Sequence, residues 1–232
     1  MSLLIVIPVR NEEVRLPAGL ARLAARLQEC GLEDYQVIVA DNGSSDGTAA
    51  AAHAWPDRRV GYVRACEQGD KGAAIAAGWA AAPPACQVLA YVDVDMATDP
   101  EALLRGHRLI AEGGADVVLG SRWHRGSRVT GRSLWRSVLS AGLALCWRLL
   151  PGGVVRDPGC GLKLCRRSTW QALPPIAGGF AYGAEVAERA ARRGACVETI
   201  PVTWTDDDAG RIRLGRAARD YARAWMRLLT GN

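Results

Sequence analysis

The alternation of short apolar runs with amphipathic stretches over residues 1–120 restricts the fold more than any other feature of the sequence. Leu3–Val9 is apolar throughout and rich in branched residues, which is typical of a strand buried on both faces of a sheet. Leu16–Cys30 then repeats leucine at helical spacing and stops at Gly31. The pattern continues, with strands expected at 36–40, 60–64, 87–92 and 116–120 and helices at 48–55, 71–82 and 100–113. This alternation predicts an α/β fold with a mostly parallel, twisted sheet flanked by helices.

Polar clusters stand where the predicted strands end, and in a parallel sheet ligands bind at these ends. Asp93 and Asp95 follow one strand, where two carboxylates can hold a hard divalent cation on a diphosphate. Their alternative role is in a strand-ending turn beside helix-capping acids. Asp41 ends an earlier strand and can accept hydrogen bonds from a base or ribose, and residues 42–48 offer backbone N–H groups to an anion. Neither a Walker motif nor GxGxxG is present, which argues against P-loop and dinucleotide-binding proteins.

Charge is unevenly distributed along the chain. Residues 1–120 carry 10 Lys and Arg against 16 Asp and Glu, whereas residues 121–232 carry 19 against 8. The asymmetry indicates either an anionic partner for the second half or a solvated arginine-rich surface. Two basic amphipathic stretches with tryptophan, Ser133–Leu150 and Leu214–Leu229, suit either a membrane surface or a place against the sheet, and the membrane role fits the first better. No signal peptide is predicted, because no basic residue precedes the apolar run Leu3–Val9. No membrane-spanning segment is predicted either, because Pro83 and Pro84 split the one uncharged run of sufficient length.

Several motifs, in the expected order, resemble those of the family 2 glycosyltransferases of GT-A fold. In the first half they are the segments Val6–Glu13, Asp41–Thr48, Asp70–Ala74 and Asp93–Asp95. In the second half, Leu119–Arg122 and Asp157–Leu164 look like the branch that makes dolichyl- or polyprenyl-phosphate sugars. With Glu185 and Val202–Trp204, the pattern is closer to dolichyl-phosphate glucosyltransferases than to mannose synthases. The resemblance implies one glycosyltransferase domain over 1–232, with a nucleotide-sugar-binding half at 1–120 and an acceptor-binding half at 121–232.

The resemblance also implies roles for individual residues. Asp93 and Asp95 would carry Mg²⁺ or Mn²⁺ on the donor diphosphate, with Asp95 the more direct ligand. Arg122 would draw in the acceptor phosphate, assisted by the later arginines Arg132, Arg211 and Arg213. The nucleotide sugar would be bound by residues of the first half: Pro8, Arg10, Asn11, Glu12, Asp41, Asn42, Gly43, Lys71 and Val94. Two departures from the family pattern are Ala97, where mannose synthases place a glutamine that binds the metal, and Ala209–Arg211, where Gly-Ser usually precedes the basic residue.

The implied reaction is a single in-line displacement with inversion. A phosphate-monoester acceptor is already an anionic nucleophile and needs only arginines to position it. An alcohol acceptor would need a carboxylate base, for which Asp157 and Glu185 are the candidates, although Asp157 is equally suited to pair with an arginine. Lys71 either touches the donor phosphates or has a structural or loop-closing role.

Four hypotheses stay open at this point. The first is a transferase that moves a hexose from a UDP-sugar or GDP-mannose to polyprenyl phosphate at a membrane surface. The second is a soluble transferase of the same fold that acts on a hydroxyl; a metal-dependent nucleotidyltransferase and a non-catalytic nucleotide-binding protein are the others. No motif indicates nucleic acid as a partner. We expect a cytoplasmic protein, peripheral on the inner face of the membrane under the first hypothesis, because seven cysteines without a CxxC pair favour reduced thiols.

Overall fold

The computed structural model describes residues 1–206 and 214–231 of the chain. Within these residues the strands are β1 (Ser2–Val9), β2 (Tyr35–Asp41), β3 (Val60–Arg64), β4 (Cys86–Tyr91), β5 (Val117–Ser121), β6 (Arg128–Thr130), β7 (Lys163–Arg166), β8 (Val197–Pro201) and β9 (Thr203–Thr205). Seven of them form one sheet in the order β3-β2-β1-β4-β7-β5-β8, and β6 pairs with β9 in a separate two-stranded sheet. The large sheet is parallel except for β7.

The helices of the same residues are α1 (Arg15–Glu29), α2 (Thr48–His53), α3 (Lys71–Ala80), α4 (Pro100–Ala111), α5 (Leu134–Arg148), α6 (Arg167–Gln171), α7 (Tyr182–Ala191) and α8 (Leu214–Thr230). Side chains cap the first turn of three of them. Asp70 accepts a hydrogen bond from the backbone N–H of Ala73 in α3, and Asp99 accepts one from Glu101 in α4. Ser133 caps α5 in the same way. These caps fix where the chain turns into helix.

Helices cover both faces of the sheet. Alternate residues of β1 point to opposite sides, so Leu3 and Ile5 pack with α1 and α4, while Leu4 and Val6 pack with α3. Buried residues of α7 and α8 join the second face. Because β1, β2 and β4 run parallel, the polar segments that follow them meet at one edge of the sheet.

The strands and helices predicted for the first half are present, and the mostly parallel sheet is confirmed. The sequence did not predict β7, which enters from the second half, lies between β4 and β5, and runs antiparallel to both. It has 4 residues, too few for a periodic pattern. Its position brings the segment Asp157–Leu164 to the middle of the sheet edge, beside the residues that follow β4.

Candidate active site

Two carboxylates lie beyond the end of β4. Asp93 is half-buried and accepts a hydrogen bond of 2.5 Å from Nζ of Lys71, the first residue of α3. Asp95 is also half-buried, and one of its oxygens accepts the backbone N–H of Ala97 at 3.1 Å. A Cβ at Gly161 would collide with the Asp93 carboxylate, so any larger residue at this point of the segment before β7 would displace that carboxylate. The hydrogen bond from Lys71 to Asp93 therefore holds the side chain of Lys71 beside this pair of carboxylates.

Neighbouring charges act differently on the two carboxylates. Burial raises the pKa of Asp93, but the ammonium groups of Lys71 and Lys163 and the guanidinium of Arg122 outweigh burial and hold that pKa below its usual range. Burial and, after it, the negative charge of Asp93 raise the pKa of Asp95. The charged form of Asp93 is therefore stabilised by cationic side chains, whereas the charged form of Asp95 is destabilised by burial and by the charge of Asp93.

The donor atoms at this point fit a divalent cation. A cation between the two carboxylates would offset the repulsion that raises the pKa of Asp95, and Mg²⁺ and Mn²⁺ prefer oxygen ligands. Within residues 1–206 and 214–231, no group of three or more His, Cys, Asp or Glu is placed to hold a metal. Mg²⁺ is commonly held by one or two carboxylates together with water and substrate phosphates, which is the arrangement Asp93 and Asp95 could support.

The loops that follow β1 and β2 are bound to each other. Asn11, with φ of 56°, donates its backbone N–H to Oγ of Ser44, and its side-chain oxygen accepts the N–H of Ser45. Asp41 is fully buried, and its two oxygens accept hydrogen bonds from the N–H of Ser44 and the hydroxyl of Tyr62. Asp41 therefore shapes the loop from within, and these neighbours shield its carboxylate from solvent.

Three further donor-site predictions fall on or next to β1. Pro8 is half-buried in the strand, in register with β2. Arg10 is exposed, and its guanidinium lies against Gly69 in the loop before α3. Both oxygens of Glu12 accept hydrogen bonds from Arg15, at 2.7 Å each. Of these three side chains, Arg10 is the one most open to a ligand.

The other residues predicted to bind the donor, Asn42, Gly43 and Val94, lie in the loops after β2 and β4. The side-chain oxygen of Asn42 accepts a hydrogen bond from Sγ of Cys66 at 3.1 Å. Gly43 has φ of 77°, and a Cβ there would collide with the carbonyl of Glu67, so this turn requires glycine. The side chain of Val94 is buried in the core against Gly19 of α1, so the contact with the donor that the resemblance implies would have to be made by the backbone of Val94.

Arg122, the residue after β5, is bound by Asp157 from the segment before β7. Its Nη2 and Nε lie 2.6 and 2.8 Å from the two carboxylate oxygens, and its backbone N–H donates to the same group at 2.9 Å. Its Cζ lies 4.9 Å from the ring centroid of Trp204. Burial lowers the pKa of Arg122 and raises that of Asp157, but the ion pair outweighs burial in both cases. Of the two roles considered for Asp157, the structure contains the ion pair.

Arg132 lies within electrostatic reach of this pair. Burial and, after it, the positive charge of Arg122 lower the pKa of Arg132. Its Nη2 donates to the carbonyl of Arg136 at 3.1 Å, and Nε is buried with no hydrogen-bond partner among the described residues. Two neighbouring guanidinium groups of this kind suit an anionic ligand. Arg211 and Arg213 lie outside the described residues.

Glu185, the other candidate base, is fully buried on α7. Arg189 donates to its Oε1 at 3.1 and 2.9 Å, and Arg227 of α8 donates to both oxygens at 3.1 and 2.6 Å. A carboxylate that is fully buried and bound by two guanidinium groups is not placed to accept a proton from a substrate. This is a correction to the predicted catalytic role: Glu185 joins α7 to α8.

Two residues near the site were assigned no role from the sequence. Lys163 is buried at the start of β7, where its Nζ donates to the carbonyls of Pro158 and Cys160, and burial lowers its pKa to about 8. Tyr221 of α8 donates to the carbonyl of Pro158 at 3.2 Å. Both hold the turn that carries Asp157. The available signal for Lys163 was a lone lysine inside an apolar run.

A mostly parallel sheet with paired carboxylates beyond a central strand is the arrangement that the resemblance to glycosyltransferases of GT-A fold implies. Residues 4–169 match the family model described as Glycosyl transferase family 2, and the chain belongs to this family. It is 28% identical over 251 residues to a dolichyl-phosphate beta-glucosyltransferase of Drosophila melanogaster, with 100% of this chain and 76% of the relative covered. It is 30% identical over 216 residues to a polyprenol monophosphomannose synthase of Mycolicibacterium smegmatis, with 89% and 78% covered.

Solved structures agree on the fold. Glucosyl-3-phosphoglycerate synthase from Mycobacterium tuberculosis, in complex with Mn²⁺, UDP-glucose and phosphoglyceric acid, matches with a TM-score of 0.75 at 20% identity, over 99% of this chain and 80% of that one. A complex of the same synthase with Mg²⁺ and UDP matches with a TM-score of 0.70 at 17% identity, over 99% and 79%. The GT-A fold and the family predicted from the sequence are confirmed.

Proposed function

We propose that the protein is an inverting, metal-dependent transferase that moves a hexose from a UDP-sugar or GDP-mannose to polyprenyl or dolichyl phosphate at a membrane surface. The donor would lie along the loops after β1, β2 and β4, with Asp93 and Asp95 holding Mg²⁺ or Mn²⁺ on its diphosphate. Arg122 and Arg132 would attract the acceptor phosphate. The names of relatives that act on dolichyl and polyprenol phosphates support this acceptor class.

The observation that carries the proposal is the uncovered apolar face of α5, which begins two residues after Arg132. The helix buries Ala144 and Trp147 against the rest of the protein. More than half of the surface is exposed for five large apolar side chains in and directly after the helix: Leu134, Trp135, Val138, Leu145 and Leu149. A contiguous apolar surface flanked by arginines is typical of a helix that lies in the lipid headgroup region. It would place the lipid part of the acceptor next to the arginines that bind its phosphate.

No helix in the described ranges is long and apolar enough to cross a bilayer. Under the proposal, contact with lipid is therefore made by the face of α5.

The ion pairs of the site also favour a phosphate acceptor. Asp157 and Glu185, the carboxylates considered as bases for an alcohol, are both bound by arginines. A phosphate monoester needs no base: its oxygen attacks the anomeric carbon, the bond from that carbon to the diphosphate oxygen breaks, and the nucleoside diphosphate leaves with the electron pair. A divalent cation, when bound, supplies positive charge to the leaving diphosphate. Arg122 and Arg132 orient the attacking phosphate.

The test is transfer of radiolabelled sugar to a lipid. The protein is incubated with Mn²⁺, polyprenyl phosphate in vesicles, and labelled UDP-glucose or GDP-mannose. We expect label in a butanol-soluble product that mild acid releases. Asp95→Asn should lower the rate at least about tenfold, equivalent to ~1.4 kcal/mol in the barrier. Asp34→Asn, which removes an exposed carboxylate far from β4 in the sequence, should leave the rate unchanged. Label that stays in water-soluble products with every donor and acceptor tried would contradict the lipid acceptor.

A further inference from the structure

A second basic site lies at the last turns of α7 and α8. These turns enclose a pocket with a volume of about 150 Å³. It is lined by four arginines, Arg189, Arg192, Arg193 and Arg227, with Pro174 and Leu228 among the apolar residues of its wall. Within the described residues, the lining includes no Asp or Glu. Guanidinium groups gathered around one pocket favour the binding of an anionic ligand.

The pocket is separate from the site at the sheet edge. The first turn of α7 packs there, since a Cβ at Gly183 would collide with Tyr91 and Lys163. Arg189 lies in the last turn of α7, and Arg192 directly follows the helix. None of the four arginines contributes to the proposed donor or acceptor site. A ligand in this pocket would therefore bind independently of the sugar-transfer reaction.

Three of the four arginines are held in place by the protein. The buried carboxylate of Glu185 fixes Arg189 and Arg227 through four hydrogen bonds. Arg192 donates from Nη1 to the carbonyl of Leu228, across the pocket between α7 and α8. These contacts orient the guanidinium groups in advance, so a ligand would not have to order them.

Among the described residues, the positive charges around the pocket outnumber the negative ones. Arg189 and Arg227 pair with Glu185, and Asp220 acts on Arg227 at longer range, while Arg192 and Arg193 are exposed at the rim. Helix C-termini favour cations, but that effect is confined to the last turn of one helix and does not require arginines from two. Planar guanidinium groups recognise phosphate oxygens with paired hydrogen bonds.

We propose that this pocket binds a phosphate group. A volume of about 150 Å³ holds one phosphate with part of the molecule that carries it, and it is below the range of pockets that enclose a whole drug-sized ligand. The phosphate can belong to a small soluble molecule or to a lipid headgroup. The chemistry of recognition is the same for both, and the experiment separates them.

The test compares two double variants that remove the same charge. Arg192→Gln with Arg193→Gln changes the pocket, and Arg22→Gln with Arg58→Gln changes two exposed arginines of the first half. Binding of inorganic phosphate is measured by calorimetry. Binding to vesicles of phosphatidylcholine, with and without phosphatidic acid, is measured by sedimentation. Arg192→Gln removes the hydrogen bond to the Leu228 carbonyl, so thermal unfolding of both double variants is measured alongside binding. Arg193→Gln alone keeps that bond and is the second variant.

We expect the pocket variant to lose affinity for phosphate by about tenfold or more, as when charge-assisted hydrogen bonds are removed, with the control variant unchanged. A loss seen for inorganic phosphate identifies a soluble ligand. A loss confined to vesicles with phosphatidic acid identifies a lipid headgroup. Phosphate and vesicle binding that are the same in both variants and the unaltered protein would overturn the proposal. The sugar-transfer assay is unaffected by either outcome, so failure here is distinct from failure of the proposed function.

Discussion

At the scale of single residues, Arg122 is held by three neighbours. The Asp157 carboxylate binds its guanidinium through two nitrogens, Trp204 packs on its face, and a Cβ at Gly159 would approach Nη2 to 3.0 Å. These contacts fix the guanidinium before any substrate arrives. A group that is already oriented stabilises developing or incoming charge without further reorganisation. Asp157 therefore serves the site by positioning Arg122.

Loss of the Asp157 charge should destabilise the protein. Both side chains of the pair are buried, with 7% of Arg122 and 1% of Asp157 exposed. Asp157→Asn keeps the size of the side chain and leaves the guanidinium without its counter-charge, for which we expect a loss of about 3 kcal/mol in the free energy of unfolding. Urea unfolding at neutral pH measures the loss.

A second substitution tests the reason for that loss. Arg122→Met in the Asp157→Asn background removes the unpaired charge, so part of the lost stability should return. A double variant that is less stable than Asp157→Asn alone would show that the guanidinium stabilises the fold without its partner, contrary to this account.

Which residues pair with which was the part of the site that the sequence could not predict. Asp93 and Asp95 were recognisable because both follow one strand. Arg122 and Asp157 are 35 residues apart, and Glu185 and Arg227 are 42 apart. Such pairs form only when the chain has folded, and spacing along the sequence does not reveal them.

At the scale of secondary structure, α5 shows how far a periodic pattern leads. Its apolar and polar residues predicted a helix over 133–150, and the structure has Leu134–Arg148. The pattern has two adjacent apolar rows, 134, 138, 141, 145 and 149 beside 135, 139, 142, 146 and 150, and it did not predict which residues are covered. In the structure both rows are exposed except for Leu150, and the covered residues are Ala144 and Trp147, which belong to neither row and lie on the side that faces α8. For β7 the pattern was uninformative, since 4 residues are too few for a period.

The exposed face of α5 should matter for membrane contact and not for folding. Leu134 is 86% and Val138 62% exposed, so Leu134→Ser with Val138→Ser should leave the midpoint of thermal unfolding nearly unchanged. We expect the same variant to sediment less with vesicles and to transfer less sugar to polyprenyl phosphate, because the apolar area that enters the lipid is smaller.

The matched control for α5 is Val14→Ser, which alters a valine that is 81% exposed in the first half of the chain. It should change neither vesicle binding nor transfer. Equal vesicle binding by the α5 variant and the control would show that α5 is not the lipid-facing surface.

At the scale of the whole molecule, the two halves of the sequence differ in charge but share one sheet. Strands β7 and β8, from the second half, pair with β4 and β5 of the first. The insertion of β7 places the acidic residues after β4 next to the arginine-bearing segments of residues 121–206. The charge asymmetry therefore separates two sides of one site, and under the proposed function the acidic side would hold the metal and donor while the arginines would face the anionic acceptor.

The negative charge of Asp95 should lower the stability of the folded protein and, under the proposed function, favour binding of the metal and the donor. Burial and Asp93 raise the pKa of Asp95, so its charged form is disfavoured in the folded protein and lowers stability at neutral pH, above the ordinary pKa of an aspartate. Asp95→Asn removes this charge and can keep the hydrogen bond from the N–H of Ala97. With EDTA present, we expect the variant to unfold at a higher temperature than the unaltered protein.

When Mn²⁺ and a nucleotide sugar are added, the unaltered protein should unfold at a higher temperature than Asp95→Asn. A ligand that binds only the folded state adds about 2.7 kcal/mol at a concentration of 100 times its Kd, and the unaltered protein should gain most of that when metal and donor are added together. The variant should gain little, because it lacks one of the two carboxylates proposed to hold the cation. Thermal unfolding of both proteins under both conditions, with Asp34→Asn as the control, measures the crossover. A variant that gains as much as the unaltered protein would show that Asp95 does not support metal and donor binding, and the placement of the donor beyond β4 would have to be abandoned.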